Sequence, residues 1–346
     1  MVGDDQVRWA RVVRQGLASP GGSVVDAVAR VVGVQAQDLR ASRLAVRVRT
    51  VGLTSADVDV AVRERAVVRT WAMRGTLHMV DAADYFWVND ALGAYFAQRG
   101  AGRRRQLGLD DALLERAAGR LEVELRKPLT RPELVERLEL PIDPTGQAPA
   151  HLLAWAANVG LVCRGPEGPG DEPTYVLVRE WLGPRPDVRD SLVTLARRYL
   201  AAYGPATAED LAAWSGLPVT RVRPGLDAVG VRTADGVYAT GDDRTPLDDG
   251  SSRVRLLGHF DAYLLGYRGR DLAVPAELRR RVQTGGGFVM PTVLVDGQVV
   301  GTWRPVSTKN GLLIDVTGET PGGIGNEVAD IGRFLGVHTA LTTTAG

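Results

Sequence analysis

The chain contains very little cysteine, histidine or lysine. Its single cysteine, Cys163, excludes an intramolecular disulfide and is typical of a reducing compartment. Four scattered histidines argue against a dedicated zinc site, and we expect no metal and no cofactor. No uninterrupted apolar run reaches the roughly 18 residues of a membrane span, and residues 1–14 lack the apolar core of a signal peptide. The sequence therefore predicts a cytoplasmic protein without membrane contact.

The 346 residues suffice for two or three domains with proper cores, and an apolar content of 45% is that of a globular protein. A net charge of +1 argues against indiscriminate nucleic-acid binding by the whole surface. Almost every cation is an arginine, which a GC-rich genome would also explain. The arginines cluster, however, in four groups: Arg40, Arg43, Arg47 and Arg49; Arg63, Arg65, Arg69 and Arg74; Arg103, Arg104 and Arg105; Arg279, Arg280 and Arg281. This clustering predicts a localised phosphate-binding face.

A weak internal repeat organises the first two thirds of the chain. Residues 128–134 and 205–211 share the pattern Pro-x-Thr-x-x-acid-Leu, and each reaches a Leu-Pro pair six residues later. Thr130 with Glu133, and Thr207 with Asp210, are typical of helix amino-terminal caps with a reciprocal acid. The Leu-Pro pairs are expected to end each short helix.

Longer helical patterns precede and follow each repeat, and each closes on a predicted hairpin. The pattern predicts helices over residues 111–126, 148–159, 191–202 and 219–229, with hairpins over 161–178 and 231–240. This order is that of a winged helix. A looser copy, with helices near 6–17, 23 and 54 and a hairpin over 67–80, occupies the first 80 residues, and residues 84–99 predict a linking helix.

The predicted fold class is therefore α+β: three tandem winged-helix units followed by a small C-terminal β-barrel-like domain or curled sheet. The expected domains are residues 1–100, 101–183, 184–250 and 251–346. Strands are predicted over 289–295, 298–303 and 312–316, and a helix over 326–335. Residues 165–171 and 317–325 are expected to be loops.

The segment Val34-Gln35-Ala36-Gln37-Asp38 pairs two amides. Gln35 and Gln37 share a face only if the backbone is extended, and Gly33 could release that geometry by ending a helix in a left-handed conformation. Two neutral amides on one face can hold a water beside a substrate that is already cationic. The simpler alternative is two solvated glutamines at the end of a helix.

Two further segments combine polar chemistry with apolar runs. Residues 69–78 predict a hairpin whose tip could contact phosphates, or an ordinary hairpin with Trp71, Met73 and Leu77 in the core. In residues 256–268, Tyr267 and Arg268 could stack on a base or bind a phosphate. The alternative is domain-junction packing, with Asp261 paired to an arginine.

In these segments the chain resembles the winged-helix DNA glycosylases of the AlkZ/YcaQ type. Gln35-Ala36-Gln37 resembles that family's glutamine-apolar-glutamine catalytic motif, Met73-Arg74-Gly75-Thr76-Leu77-His78 its first-wing signature, and residues 260–268 its junction signature. The resemblance covers about residues 6–335. The chain departs from it at Gly258-His259, where a proline and a small residue are expected. A family branch has aspartate at the second motif position, whereas this chain has Gln37, with Asp38 one residue further on.

The resemblance implies a monomeric, nucleoid-associated monofunctional DNA glycosylase. It would release cationic, bulky 7-alkylguanine or 3-alkyladenine from double-stranded DNA, as self-resistance to a DNA-alkylating natural product. Gln35 and Gln37 would orient the attacking water, and the motif has no lysine nucleophile for lyase chemistry. The DNA contacts would come from Arg40, Arg43, Arg74, Tyr267 and Arg268, and from a minor-groove probe at the hairpin tip Asp296, Gly297 and Gln298. The alternatives are a winged-helix transcriptional regulator and a drug-sequestering binding protein.

Overall fold

The computed structural model describes residues 3–240 and 253–344. Helix α1 (Asp4–Arg14) comes first. The first repeat then consists of α2 (Val24–Arg30), β1 (Val34–Gln35), α3 (Leu39–Arg47), α4 (Ser55–Arg63), β2 (Val67–Trp71) and β3 (Leu77–Asp81). Helices α5 (Tyr85–Arg99) and α6 (Ala101–Gln106) lead to the second repeat. Helix α3 is an element that the sequence analysis did not predict.

The second and third repeats have the same element order as the first. The second contains α7 (Asp111–Glu124), β4 (Leu129–Thr130), α8 (Arg131–Leu138), α9 (Ala148–Asn158), β5 (Val162–Arg164) and β6 (Thr174–Leu177), followed by α10 (Val178–Trp181). The third contains α11 (Ser191–Tyr203), β7 (Ala206–Thr207), α12 (Ala208–Ser215), α13 (Val219–Val229), β8 (Val231–Arg232) and β9 (Val237–Ala239). In every repeat the first strand pairs antiparallel with the last strand, which pairs with the middle one.

The predicted capping boxes form in the second and third repeats. The Glu133 carboxylate accepts from the Thr130 backbone N–H at 2.7 Å, and the Asp210 carboxylate accepts from that of Thr207 at 3.0 Å. Each threonine hydroxyl in turn accepts from the backbone of its acid. These bonds satisfy amino-terminal donors that would otherwise have no intrahelical partner.

The three repeats are joined by a shared sheet and a shared core. The hairpins of the first and second repeats form one six-stranded sheet, in the order β1-β3-β2-β5-β6-β4, where Arg69 of β2 pairs with Arg164 of β5. The first and third repeats share a core, in which Val28 and Val62 belong to the same cluster as Trp214. The β1 strand, which carries Gln35, therefore lies in the repeat that contacts both others.

The C-terminal part is an open sheet and not a barrel. It contains β10 (Val254–Leu257), α14 (Ala262–Leu265), α15 (Arg279–Val282), β11 (Thr292–Val295), β12 (Gln298–Thr308), β13 (Gly311–Gly318), α16 (Ile324–Leu335) and β14 (Thr339–Thr344). The strand order β10-β11-β12-β13-β14 leaves β10 and β14 as the two edges. Of the two predicted forms, a barrel and a curled sheet, the barrel was wrong, because α16 packs against the sheet and buries Val328 and Ile331 without strand closure.

Two details of this part also differ from prediction. The predicted loop over 317–325 is shorter, because β13 continues to Gly318. Strand β14, which pairs in parallel with β13, was not predicted, since its threonine-rich residues lack an alternating apolar pattern. The predicted end of the third unit near residue 241 and the boundary at 250 and 251 lie outside the described residues. Over the ranges described, no helix is both long enough and apolar enough to cross a bilayer.

Candidate functional site

Compared with the other two repeats, the first repeat has three extra residues between the end of its first strand and the cap of the next helix, and the glutamine motif lies there. In the second and third repeats, Thr130 and Thr207 each end the first strand and also cap the next helix. In the first repeat Gln35 ends β1, but the cap of α3 is Asp38, three residues later. The Ala36 N–H donates to the Leu77 carbonyl at 2.8 Å, so the ladder continues past Gln35 before the chain bends. Extended geometry is thus confirmed for the start of the motif.

Gln35 is held in place by an arginine from the neighbouring hairpin. The Gln35 side-chain Oε1 accepts from Arg74 Nη2 at 3.0 Å, while Arg74 Nη1 donates to the Trp214 carbonyl of the third repeat at 2.8 Å. Arg74 has a φ of 58°, and its Cα lies 2.7 Å from where a Cβ on Gly216 would be. The guanidinium thus fixes the orientation of the Gln35 amide. Its oxygen points towards Arg74, because only the amide oxygen can accept a hydrogen bond from a guanidinium.

His78 completes this network as a neutral group. It lies opposite Gln35 in the β1–β3 pair, and its Nδ1 lies 3.0 Å from the Thr76 carbonyl. Burial, and secondarily the Arg74 charge, lower the pKa of His78 to about 3. The neutral tautomer therefore donates from Nδ1 to Thr76 and offers Nε2 to Arg74 Nη2, 3.4 Å away. Such a histidine cannot act as a general acid near neutral pH.

The His78 pKa predicts a loss of stability in mild acid. Because the folded pKa lies below the ordinary value of 6.5, the unfolded chain binds a proton that the folded chain refuses. The contribution of neutral His78 to the free energy of unfolding is complete above pH 6.5. It falls as the pH drops towards 3, by about 2 kcal/mol at pH 5. We expect urea unfolding at pH 7 and pH 5 to show this loss, and the His78→Gln variant to lack most of it. Equal losses in both proteins would contradict the assignment.

Asp38, the carboxylate that follows the motif, is engaged as a helix cap. Its Oδ1 accepts from the Ala41 backbone N–H at 2.8 Å, at the start of α3. Gln37 is exposed and Gln35 is half-buried, with buried Ala36 between them. The described contacts of Gln35 thus involve an arginine and no acid. The functional groups that the motif offers to a substrate are therefore amides and not carboxylates.

The first arginine cluster divides between solvent and interior. Arg40 is exposed. Arg43 pairs with Asp59 at 2.6 Å and with Asp171 at 3.4 Å, and these partners raise its pKa against the effect of burial. Arg47 and Arg49 are buried and ion-paired, so the predicted phosphate-binding face does not include them.

The junction segment, residues 260–268, is packed largely inside the protein. Arg49 forms two bonds to the Asp261 carboxylate, at 2.8 and 2.7 Å, which confirms the prediction that an arginine pairs with Asp261. Tyr267 is buried, donates its hydroxyl to the Tyr203 carbonyl at 3.0 Å, and carries the Arg11 guanidinium 3.4 Å from its ring centre. Stacking of Tyr267 on a base would require this packing to open. Arg268 is exposed, and its backbone N–H donates to Asp210 at 2.9 Å.

The predicted hairpin tip also packs inward. A Cβ on Gly297 would lie 2.7 Å from both Arg8 and the Tyr263 hydroxyl, and that hydroxyl donates to the Gly297 carbonyl. Asp296 accepts from the Arg253 backbone N–H at 2.7 Å, and only Gln298 of the three residues is exposed. The β12–β13 hairpin, in contrast, extends beyond its pairing with β11 to an exposed tip over residues 307–310.

A cavity lies beside the motif, and the sequence patterns did not indicate it. It has a volume of about 230 Å³ and lies between the start of α3 and the C-terminal sheet. Its lining consists of Asp38, Arg40, Ala41, Leu44, Gly258, His259, Pro291, Trp303 and Pro305. The only sequence signal for it was the departure at Gly258-His259, because the other residues come from segments far apart in the chain.

Comparison with known proteins gives matches over most of the chain. The model of the family described as DNA glycosylase AlkZ-like matches residues 28–334. The interstrand DNA cross-link repair glycosylase of Streptomyces sahachiroi is 32% identical, over 82% of each chain. The solved structure of the Streptomyces sahachiroi DNA glycosylase AlkZ superposes with a TM-score of 0.78 at 28% identity, covering 98% of this chain and 99% of that one.

The mixed α/β fold and these matches together define an enzyme class, the DNA glycosylases, which hydrolyse N-glycosyl bonds in DNA. Within that class, the chain belongs to the DNA glycosylase AlkZ-like family, since the family model spans far more than half of its residues. The resemblance seen in the three sequence signatures is thereby confirmed. DNA is the partner on which such an enzyme acts.

Proposed function

We propose that this glycosylase releases cationic, bulky 7-alkylguanine or 3-alkyladenine from duplex DNA by water attack alone. The observation that carries the proposal is the anchored Gln35 beside exposed Gln37, with Asp38 engaged as a cap. A 7-alkylated guanine carries a positive charge and leaves as a neutral base, so its departure needs no strong general acid. A site whose histidine stays neutral and whose motif holds amides suits such a substrate.

The chain's own groups would mainly position the water. As the glycosidic bond breaks, the sugar develops oxocarbenium character, and a water must lie close to its anomeric carbon. Gln35 Oε1 already accepts one hydrogen bond from Arg74 and retains a second lone pair for that water. Gln37, which is exposed, would hold it from the solvent side, and bulk solvent would take the proton that the water loses as it bonds to the anomeric carbon. Arg74 acts through Gln35 and is therefore a positioning residue. Without a lysine in the motif, no Schiff base forms and the enzyme is monofunctional.

Bulky lesions are supported by the relatives and by the openness of the motif. The Streptomyces sahachiroi relative is named as an interstrand cross-link repair glycosylase. We infer that this chain also accepts large adducts, including those left by natural products that alkylate DNA, and that it serves self-resistance. Since Gln37 is exposed, a large lesion can meet the motif without complete burial.

The three repeats are, in this proposal, winged-helix modules of a monomeric enzyme. Each has the same element order and strand pairing, and the first carries the motif. Exposed Arg40 and the exposed tip of the β12–β13 hairpin, which includes Lys309, would contact the DNA. This hairpin replaces the 296–298 turn as the groove probe, because Gly297 is packed against α1 and Tyr263.

A single release assay tests the proposal. The protein is incubated with duplex DNA that carries one 7-alkylguanine, and the duplex is then heated in alkali to cut any abasic site. We expect strand scission at the modified guanine and, without alkali, an intact abasic strand. A transcriptional regulator would bind an operator and release no base, whereas a drug-sequestering protein would bind the free drug tightly. Absence of scission with both small and bulky adducts would overturn the proposal.

The salt dependence of DNA binding should distinguish two neighbouring arginines. Arg40 is exposed, whereas Arg43 is committed to Asp59 and Asp171. We expect Arg40→Ala to weaken binding and to reduce the slope of log K against log salt by about 0.9, the value for one phosphate contact. Arg43→Ala should leave this slope unchanged. Fluorescence anisotropy at several salt concentrations measures both, and an unchanged slope for Arg40→Ala would exclude Arg40 from the DNA interface.

A further inference from the structure

The cavity beside the motif is lined mainly by apolar and aromatic groups. Ala41 and Leu44 contribute from one side of α3, and His259, Trp303 and Pro305 from the C-terminal part. Trp303 is buried, and its indole N–H donates to the Leu257 carbonyl at 2.8 Å, so its ring position is fixed. An engineered apolar cavity of about 150 Å³ is large enough to bind benzene. At about 230 Å³, this one has room for a larger arene.

The cavity adjoins the motif without containing it. Asp38 and Arg40 line it, and Asp38 directly follows Gln37, so the two Cα atoms are about 3.8 Å apart. Neither Gln35 nor Gln37 belongs to its wall. A base undergoing cleavage must lie beside those amides. The cavity is thus placed for a group that projects from that base and not for the base itself.

A row of aromatic rings leads from the cavity to the surface. The ring centres of His259 and Phe260 are 5.9 Å apart, and those of Phe260 and Phe288 are 5.4 Å apart. Phe288 is 54% exposed, which is unusual for so large an apolar side chain. Phe260 adopts a φ of 57°, a strained conformation for a bulky residue, and such strain concentrates at functional sites.

Gly258 keeps this space open. A Cβ at this position would approach the Cβ of Leu44 to 3.2 Å, so any side chain here would enter the wall that α3 provides. The His259 ring is oriented by its Nδ1, which lies 3.2 Å from the Val289 carbonyl. The missing side chain at Gly258 thus leaves room in the cavity, and His259 adds an aromatic ring to its wall.

We propose that this cavity binds an aromatic substituent carried by the alkylated purine, and that it makes the enzyme selective for arylalkyl adducts. The inference rests on the proposed function, because it assumes that an alkylated purine is cleaved beside Gln35 and Gln37. The arene would pack against Trp303 and His259 while the charged purine remains at the motif. Selectivity would arise from apolar burial that a methyl adduct cannot gain.

The test compares two cationic adducts that differ only in the substituent. Single-turnover release is measured for duplexes with one 7-methylguanine or one 7-(1-naphthylmethyl)guanine. We expect wild-type protein to release the naphthylmethyl adduct at least about tenfold faster at subsaturating enzyme, as expected for burial of several apolar carbons. Ala41→Phe, which fills the cavity from α3, should abolish most of this preference and leave methyl release unchanged. Ala340→Phe, at an exposed position on β14, is the matched control.

Each outcome separates the inference from the proposed function. Equal losses for both adducts in Ala41→Phe, beyond those of the control, or an unchanged preference would overturn the inference while the proposed function stands. Release of neither adduct by wild-type protein would overturn the proposed function and the inference with it. Thermal unfolding verifies that Ala41→Phe is folded. If it is not, His259→Ala, at a half-buried position, should reduce the preference instead, and an unchanged preference in that variant would equally overturn the inference.

Discussion

Replacing Gln35 or Gln37 by alanine should lower the single-turnover rate of base release by about 10²–10⁴, the range for a positioned group that handles the attacking water. The affinity for lesion-bearing duplex should stay within a few-fold, because neither amide carries charge to the phosphates. Release kinetics and anisotropy titrations on the same duplex measure the two quantities. The Gln35 variant should also lose the hydrogen bond from Arg74.

The matched control is Gln98→Ala, which removes an exposed amide from helix α5. It should change neither release nor affinity. If affinity falls in parallel with release in the two motif variants, then the pair is a DNA contact and not a catalytic device. If Gln35→Ala retains the wild-type rate, the mechanism must rest on Gln37 alone.

The Asp261→Asn substitution should have the largest effect on stability. It leaves the Arg49 guanidinium charged in a site where both side chains have an exposed fraction of 0%. Breaking a buried pair in this way costs about 3–5 kcal/mol. The asparagine oxygen can still accept from the Tyr263 backbone N–H, so the loss reports mainly on the unpaired cation. Urea unfolding measures the difference in free energy.

An exposed ion pair provides the comparison. Asp271 pairs with Arg279 at 2.5 Å, but its side chain is 77% exposed, so Asp271→Asn should cost less than about 1 kcal/mol. A similar cost for both substitutions would mean that burial does not make the Arg49–Asp261 pair, which joins the residues after α3 to residues 260–268, more important for stability than an exposed pair. A double variant that replaces both Arg49 and Asp261 with apolar residues should recover part of the loss.

Local patterns were sufficient to predict most of the helical frame. The caps at Thr130 and Thr207 depend on residues three apart in sequence, and both form. The left-handed Gly33 before the motif was likewise predictable, because glycine adopts a φ of 107° without strain. Helix α3 was not predictable in the same way, because the extended motif and the arginines that follow it gave no sign that Asp38 begins a helix.

Contacts between distant segments were beyond such patterns. Nothing near Arg74 in the sequence indicates that its guanidinium bonds to the Trp214 carbonyl, 140 residues away. The burial of Tyr267 and Gly297 depends in the same way on how α1 packs. Closure of the C-terminal sheet could not be judged either, since it depended on β14, whose polar threonines pair in parallel with β13. The candidate catalytic residues were therefore easier to predict than the residues that hold them in place.

The bond from Arg74 to Trp214 sets a lower limit on the size of an active fragment. A shortened protein that ends after the second repeat would keep the glutamine motif and the complete six-stranded sheet. It would lack the Trp214 carbonyl, which accepts from Arg74. It would also lack Gly216, whose missing side chain leaves room for the backbone of Arg74. Arg74 would then be free to rotate, and Gln35 would lose its fixed orientation. Truncation mapping should therefore find no activity in any fragment that lacks the third repeat, although no residue of the motif lies there.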